Sequence, residues 1–299
     1  REIIHPLNKP LDSLIAIEDR NRLDNLGLFS ESTWRVIPLE NGSAKLVYIV
    51  QESIQRTPPL VLPNYKEDTG WSLAGLWIVN NFRGKNQSLA LGGTIGGEDT
   101  YMFSFSDPWI FGDHISLTLN IGRTIYEHRF LDKSIDVNSF FLGFGKWYGT
   151  FIKTLFGIEI EEKSFTNEQN EDEFFYFGTN ANVKYDTRDI YWNPGKGVLI
   201  SQTIYHQEGI QPRDWGLTLW TQSFSWYRKI NKREKKKVIA LNTSLNKKIG
   251  MKSDLWLDYF GNSYTIRGWP LPGPDLYFSK NEQFRFGHES VLISLEYRR

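Results

Sequence analysis

Five histidines, His5, His114, His128, His206 and His288, are the natural candidates for metal or acid–base chemistry. They are scattered. No HExxH occurs, and "GHES" at 287–290 lacks the second histidine of a zinc-hydrolase motif. "LGFGKWYG" (142–149) carries a Gly-Lys pair without the spacing or following hydroxyl of a phosphate-binding loop, and no GxSxG nucleophile elbow is present. "YDTRD" (185–189) offers two nearby carboxylates, but beside the turn "NPGKG" it reads as a strand-end charge cluster. The acidic run 161–173 reads as a solvated loop able to hold a divalent cation only weakly. "NKREKKK" (231–237) reads as a wet turn, with anionic lipid as the one surface it would suit. No catalytic residue, metal site or cofactor is expected.

One charged residue does need an explanation. In "YFGNSYTIRGWPLPGP" (259–274), Arg267 stands between Ile266, Gly268 and Trp269. An exposed loop rarely carries so much apolar bulk, and a buried arginine needs a partner.

The elements that must position such a residue follow from composition and alternation. The 299 residues include 35 basic and 35 acidic side chains, so a general nucleic-acid binder, with its basic face, is disfavoured. There is no cysteine, hence no disulfide or thiolate metal site. Aromatics reach 15%, with 11 Trp, although the mean hydropathy of −0.43 is polar. No stretch approaches the roughly 18 apolar residues of a membrane helix. The opening "REIIHPLNKP" has no apolar leader core, so the chain is expected to be cytosolic, or a mature form or fragment with its leader upstream. This composition suits a transmembrane β-barrel; a soluble sandwich or propeller is the competing architecture.

Residues 13–29 predict a helix, with Leu14, Ile17, Leu23 and Leu26 near helical spacing and Gly27 as its stop. "STWRVIPLE" and "AKLVYIVQE" flank a turn at Asn41-Gly42 and predict a hairpin. From residue 58 onward the pattern alternates with a period of two, giving twelve candidate strands and no convincing helix. In "SVLISLEYR", Val291, Ile293, Leu295 and Tyr297 oppose Ser294, Glu296 and Arg298. Short turns alternate with longer loops, notably 161–173 and 249–288. Trp71, Trp77, Trp109, Trp147, Tyr148, Trp192 and Trp215 near strand ends predict an interfacial girdle. The first candidate strand, "PPLVLPNY", contains Pro58, Pro59 and Pro63, which cannot donate to a ladder. It is either a weakened edge strand or a linker.

Several strings taken together resemble one family. "RLDNLGLFSESTWRVIPLENGSAKLVYIVQES" resembles the end of the last POTRA domain of the BamA/TamA outer-membrane assembly proteins (the bacterial surface antigen family). "WIVNNFRGKNQSLALGG", "FSDPWIFG", "YDTRDIYWNPGKG" and "FGNSYTIRGW" resemble, in order, landmarks of that family's barrel. The resemblance implies a mainly β fold: a partial α+β POTRA domain over 1–54, then a transmembrane antiparallel barrel over 55–299 with about 12 of an expected 16 strands. The remaining strands and further POTRA domains would lie outside the chain. It implies that the loop holding Ile266, Arg267, Gly268 and Trp269 folds back into the lumen, with Glu296 matching one acidic partner of the motif arginine. It further implies a lateral seam at the first strand, near Pro58, Pro59 and Pro63. The function implied is non-enzymatic assembly, insertion or translocation at the bacterial outer membrane, with the POTRA part periplasmic. Its partners would be the lipid bilayer, unfolded outer-membrane proteins, and periplasmic lipoproteins or an inner-membrane partner, with no nucleic acid. The alternatives are an anchor for a fused surface enzyme such as a patatin-like lipase, and a passive channel.

Overall fold

The computed structural model describes residues 2–66, 70–97, 99–112, 114–128, 130–231, 237–261, 266, 277–279 and 283–298. The chain opens with α1 (Ser13–Asn25), whose N-terminus is capped by Asp12 accepting from the amides of Leu14 and Ile15. The helix ends before the expected Phe29. Leu26 caps it, and Gly27 takes φ +70, a left-handed turn that releases the chain into β1 (Phe29–Pro38). The expected apolar stripe is not what the helix buries: Leu14 stays 76% exposed, while Ala16 and Asp19 are fully buried. Asp19 accepts from Tyr48 Oη (2.7 Å) and from the amides of Ile4 (2.8 Å) and His5 (3.1 Å). Tyr48 lies in β2 (Ala44–Glu52), the antiparallel partner of β1. A carboxylate tie therefore holds helix, hairpin and N-terminal segment together where a larger unit would use an apolar core.

The main body is one antiparallel sheet of twelve strands, matching the predicted number. In chain order these are β3 (Leu60–Lys66), β4 (Gly70–Phe82), β5 (Gln87–Gly96), β6 (Thr100–Asp107), β7 (Ile115–Glu127), β8 (Ser134–Tyr148), β9 (Ile152–Thr166), β10 (Glu171–Asp186), β11 (Lys196–Gln211), β12 (Gly216–Lys229), β13 (Val238–Gly250) and β16 (Glu289–Arg298). Neighbours in the sheet are neighbours in sequence. β13 pairs with β16 across the segment that holds the two short strands β14 (Asp258–Tyr259) and β15 (Phe286–Gly287). The sheet is open, with β3 and β16 at its edges. Helical residues described after residue 58 are confined to that same segment. The acidic run 161–173 is not a loop: β9 and β10 continue through most of it, and only residues 167–170 turn.

The two faces of the sheet separate by parity. On β16, Val291, Ile293, Leu295 and Tyr297 are 59–74% exposed, while Ser294, Glu296 and Arg298 face the other way and are half-buried. The register carries that outer face across the sheet through Leu241, Trp226 and Val198, and from Ile200 on the same face of β11 to Tyr185. On β9 it reads Ile152, Thr154, Phe156, Ile158 and Ile160, and then turns charged at Glu162. Nine residues at ~3.3 Å each, tilted by about 40°, span roughly 20–25 Å, the height of a barrel's apolar band. Charges mark the far limit of this band on other strands, as in the pairs Arg123–Asp136 (2.7 Å) and Lys247–Glu289 (2.8 Å).

Parity also corrects the predicted girdle. Trp71 and Trp192 are exposed (70% and 77%), and Tyr148 has outer parity with Ile152. Trp147, one residue earlier, has inner parity and lies under Lys153 Nζ at 3.8 Å. Trp109 lines a cavity at the near end with Arg22 and Asn25, and Trp215 packs inside against Phe174 and Tyr176.

Candidate functional site

The inner face is wrapped around a piece of its own chain. Trp256, 7% exposed, lies in a 3-10 turn after β13, where Ser253 caps the turn through Leu255 N. It belongs to one buried cluster with Ile135 and Val137 of β8, Phe165 of β9 and Leu217 of β12. Strands β8 and β12 are four positions apart in the sheet, about 19 Å along a flat one at ~4.8 Å per strand. A single side-chain cluster reaches both because the wall curves around it. Phe174, Phe165 and Trp215 close on the Trp256 ring at 4.7, 5.1 and 5.9 Å between centroids.

Polar contacts fix the same segment. Lys248 on the inner face of β13 donates to the Trp256 carbonyl (2.5 Å) and to Asp258 Oδ1 (2.7 Å). Below Trp256 the wall is polar: Glu161 accepts from Tyr176 Oη, and Glu159 accepts from Tyr205 Oη at 2.5 Å. Gly157 and Gly178 leave room for the rings that lie along this wall, since a Cβ there would meet Phe141 at 2.5 Å and Tyr205 at 2.7 Å. The segment's return is also held. Arg285, 3% exposed, donates from Nε (3.0 Å) and Nη2 (2.9 Å) to the Phe260 carbonyl, and Phe260 N returns a bond to Arg285 O. Phe130, 1% exposed, packs among Tyr259, Tyr277 and Phe286.

Of the residues singled out in sequence, Ile266 is half-buried, while Arg267, Gly268 and Trp269 lie outside the described residues. Glu296 has inner parity opposite Ala240 and accepts from Arg298 Nε at 3.1 Å. Pro58 and Pro59 precede β3, whereas Pro63 lies within it, opposite Leu73 on an edge strand. The stretch just before them runs along β4, with Thr57 N donating to Ile78 O (3.1 Å) and Asn80 N to Gln55 O (2.6 Å). Linker and edge strand are therefore consecutive: the chain is pinned at 55–57 and enters the sheet at Leu60.

Sequence reasoning missed a joint at the near end. Asn25, the last residue of α1, donates from Nδ2 to Asp189 O (3.2 Å) and accepts at Oδ1 from Tyr191 N (2.9 Å). Its side-chain amide thus pairs with the β10–β11 turn as a peptide unit would. That turn is rigid. Asp189 accepts from the amides of Ile190, Gly195 and Lys196, and the buried Arg188–Asp186 pair (2.7 Å) braces its base while Arg188 Nη1 donates to Tyr191 O. The strand-end charge cluster predicted for "YDTRD" is this brace; the only further signal was that so much turn chemistry was concentrated there.

Comparison with known proteins agrees with this architecture. The model of the Omp85 superfamily domain matches residues 81–298. The chain is similar in fold to BamA from Haemophilus ducreyi lacking POTRA domains 1–3, with a TM-score of 0.59 and 17% identity over 99% of this chain and 63% of that one. It is also similar to CdiB from Escherichia coli, with a TM-score of 0.52 and 13% identity over 99% of this chain and 58% of that one. The chain thus spans about three-fifths of the length of each. No curated protein sequence matches it. With a family match across most of the chain, a twelve-stranded antiparallel wall and an inward-turned segment, this protein belongs to the Omp85 superfamily, whose barrels reside in the outer membrane.

Proposed function

We propose that this chain is the barrel part of a non-enzymatic factor that inserts β-barrel proteins into, or moves proteins across, the bacterial outer membrane. Residues 1–54 form the end of a periplasmic POTRA domain, and the near end of the sheet faces the periplasm. The observation that carries the reading is the edge strand β3. It is short, it contains Pro63, and it is apolar on both faces, with Leu60 and Leu62 on the inner side and Val61 on the outer side, all 53–55% exposed. Such an edge can lend its backbone to an incoming strand. Clients would arrive by strand addition to the POTRA part and leave through this seam. Partners are the bilayer, unfolded outer-membrane proteins, and a periplasmic lipoprotein or inner-membrane protein.

In the same reading Arg267 is a latch for the inward-turned loop, with Glu296 as one partner and Ile266, Gly268 and Trp269 as the packing around it. Arg267→Ala and Glu296→Ala each lower loop protection, and the charge-swapped double variant recovers part of it. Recovery of none removes the pairing.

The protein reconstituted in liposomes should accelerate folding of a urea-unfolded outer-membrane barrel, and a photo-crosslinker at Val61 should capture that client. Steady ion conductance with neither acceleration nor crosslink would instead identify a passive channel.

A further inference from the structure

His128 follows β7 and touches three elements. Its Nδ1 accepts from the backbone amides of Phe130 (3.4 Å) and Leu131 (3.2 Å) in its own loop. Its ring stands edge-on to Phe130 at 4.6 Å and lies 6.3 Å from Phe165 of β9. Through these two rings it reaches the segment after β13: Phe130 packs against Tyr259 at 6.2 Å and Phe165 against Trp256 at 5.1 Å between centroids. An imidazole that accepts at Nδ1 can donate only from Nε2, so this geometry specifies the neutral ring in a single tautomer. A second proton would sit on Nδ1, pointing at two N–H donors.

We propose that His128 is the positioning residue that seats Met251–Phe260 against the inner wall, and that it does so only while its imidazole is neutral, so that acid on the far side releases the segment. The charges around the ring favour this. Lys133, in the same loop, is bound to Asp172 of β10 at 2.5 Å, and Lys163 of β9 lies 5.5 Å from the Phe165 ring; both cations disfavour another positive charge. On the seated segment the nearby carboxylates are engaged elsewhere, Asp254 with Tyr277 and Asp258 with Lys248. Burial is the main cause that holds the imidazole below its ordinary value of 6.5; the nearby backbone of Leu255 opposes it, and the two lysines add to it. The seated state then binds a proton more weakly than the released one. The seat is held in full above pH 6.5 and weakens as pH falls below that value toward the lower pKa of the seated ring.

This inference does not depend on the assembly reading, because its test involves no client. Hydrogen exchange on the full-length protein in detergent, corrected for the intrinsic pH dependence of exchange, is compared at about pH 7.5 and about pH 5. Protection of Met251–Phe260 should fall with acidification, by up to about tenfold per pH unit within the window, while β9 and β10 hold. His128→Gln supplies an acceptor and a donor without titrating, and should keep the seat while losing the acid response; His288→Gln should keep that response. An unchanged wild type at low pH overturns the proposal, as does a His128→Gln response equal to wild type. If His128→Gln loses the seat at both pH values, the other two proteins decide: an acid response retained in His288→Gln supports the proposal, and one abolished there overturns it.

Discussion

The wall made by β3 to β6 and the wall made by β8 to β11 share one alternating code but differ in height. The first four strands run to 7, 13, 10 and 8 residues, the other four to 15 or 16. On the tall side the strands continue past the apolar band, and their inner face carries both the Glu–Tyr pairs and the aromatic seat for Trp256. On the short side the inner face of β3 and β4 presents Leu60, Leu62, Leu76 and Ile78. Cross-strand pairs are the unit of sheet stability, so a short strand with few polar ties on its inner face has the least to lose when it opens. A short apolar span also draws the bilayer thinner around it. One sheet is thus a braced cage at one side and a weak edge at the other, without any change of fold.

Breaking the tall wall should give the largest effect. Trp256→Ala empties the seat and should cost about 3–5 kcal/mol locally. Hydrogen exchange should rise in 251–260 and in the inner residues of β8 and β12, with β3 to β6 unchanged; a rise of equal size in β3 to β6 would mean that the two walls are not independent. Next comes the joint at the near end. Asn25→Ala removes both bonds to the β10–β11 turn, costing about 1–2 kcal/mol, and the Tyr191 amide should exchange about tenfold faster.

Changes on the weak side should give a smaller shift. Pro63→Val restores a backbone donor on the edge strand, and the hydrogen bond it allows should stiffen β3 by about 0.5–1 kcal/mol. Thermal unfolding should move up slightly while client folding slows. The smallest effect is expected at Arg123–Asp136, a bidentate pair about one-third exposed. Arg123→Gln should cost less than about 1 kcal/mol, and the difference should fade at high salt.

Much of this architecture was legible before any coordinates. A period of two assigns each side chain to a face, so Val291 to Tyr297 and Glu296 were placed correctly from β16 alone. The hairpin around Asn41-Gly42 and the twelve strands followed from the same local rules. Composition alone misplaces residues: aromatic character near strand ends predicts Trp147 and Trp215 in the girdle, whereas parity and packing turn them inward. The acidic run 161–173 predicts a loop because its charges suit solvent, yet strands that rise beyond the apolar band can carry charge on either face.

The alternation and the number of strands were set in the sequence alone, since each depends on neighbours within a few residues. That Trp256 fills the wall, that Arg285 closes the returning chain, that His128 stands between Phe130 and Phe165, and that Asn25 reads a turn 164 to 166 residues away came from the tertiary structure alone. These contacts require knowing which strands curve to face one another. Curvature is a property of the whole sheet, and no single strand encodes what lies across the lumen from it.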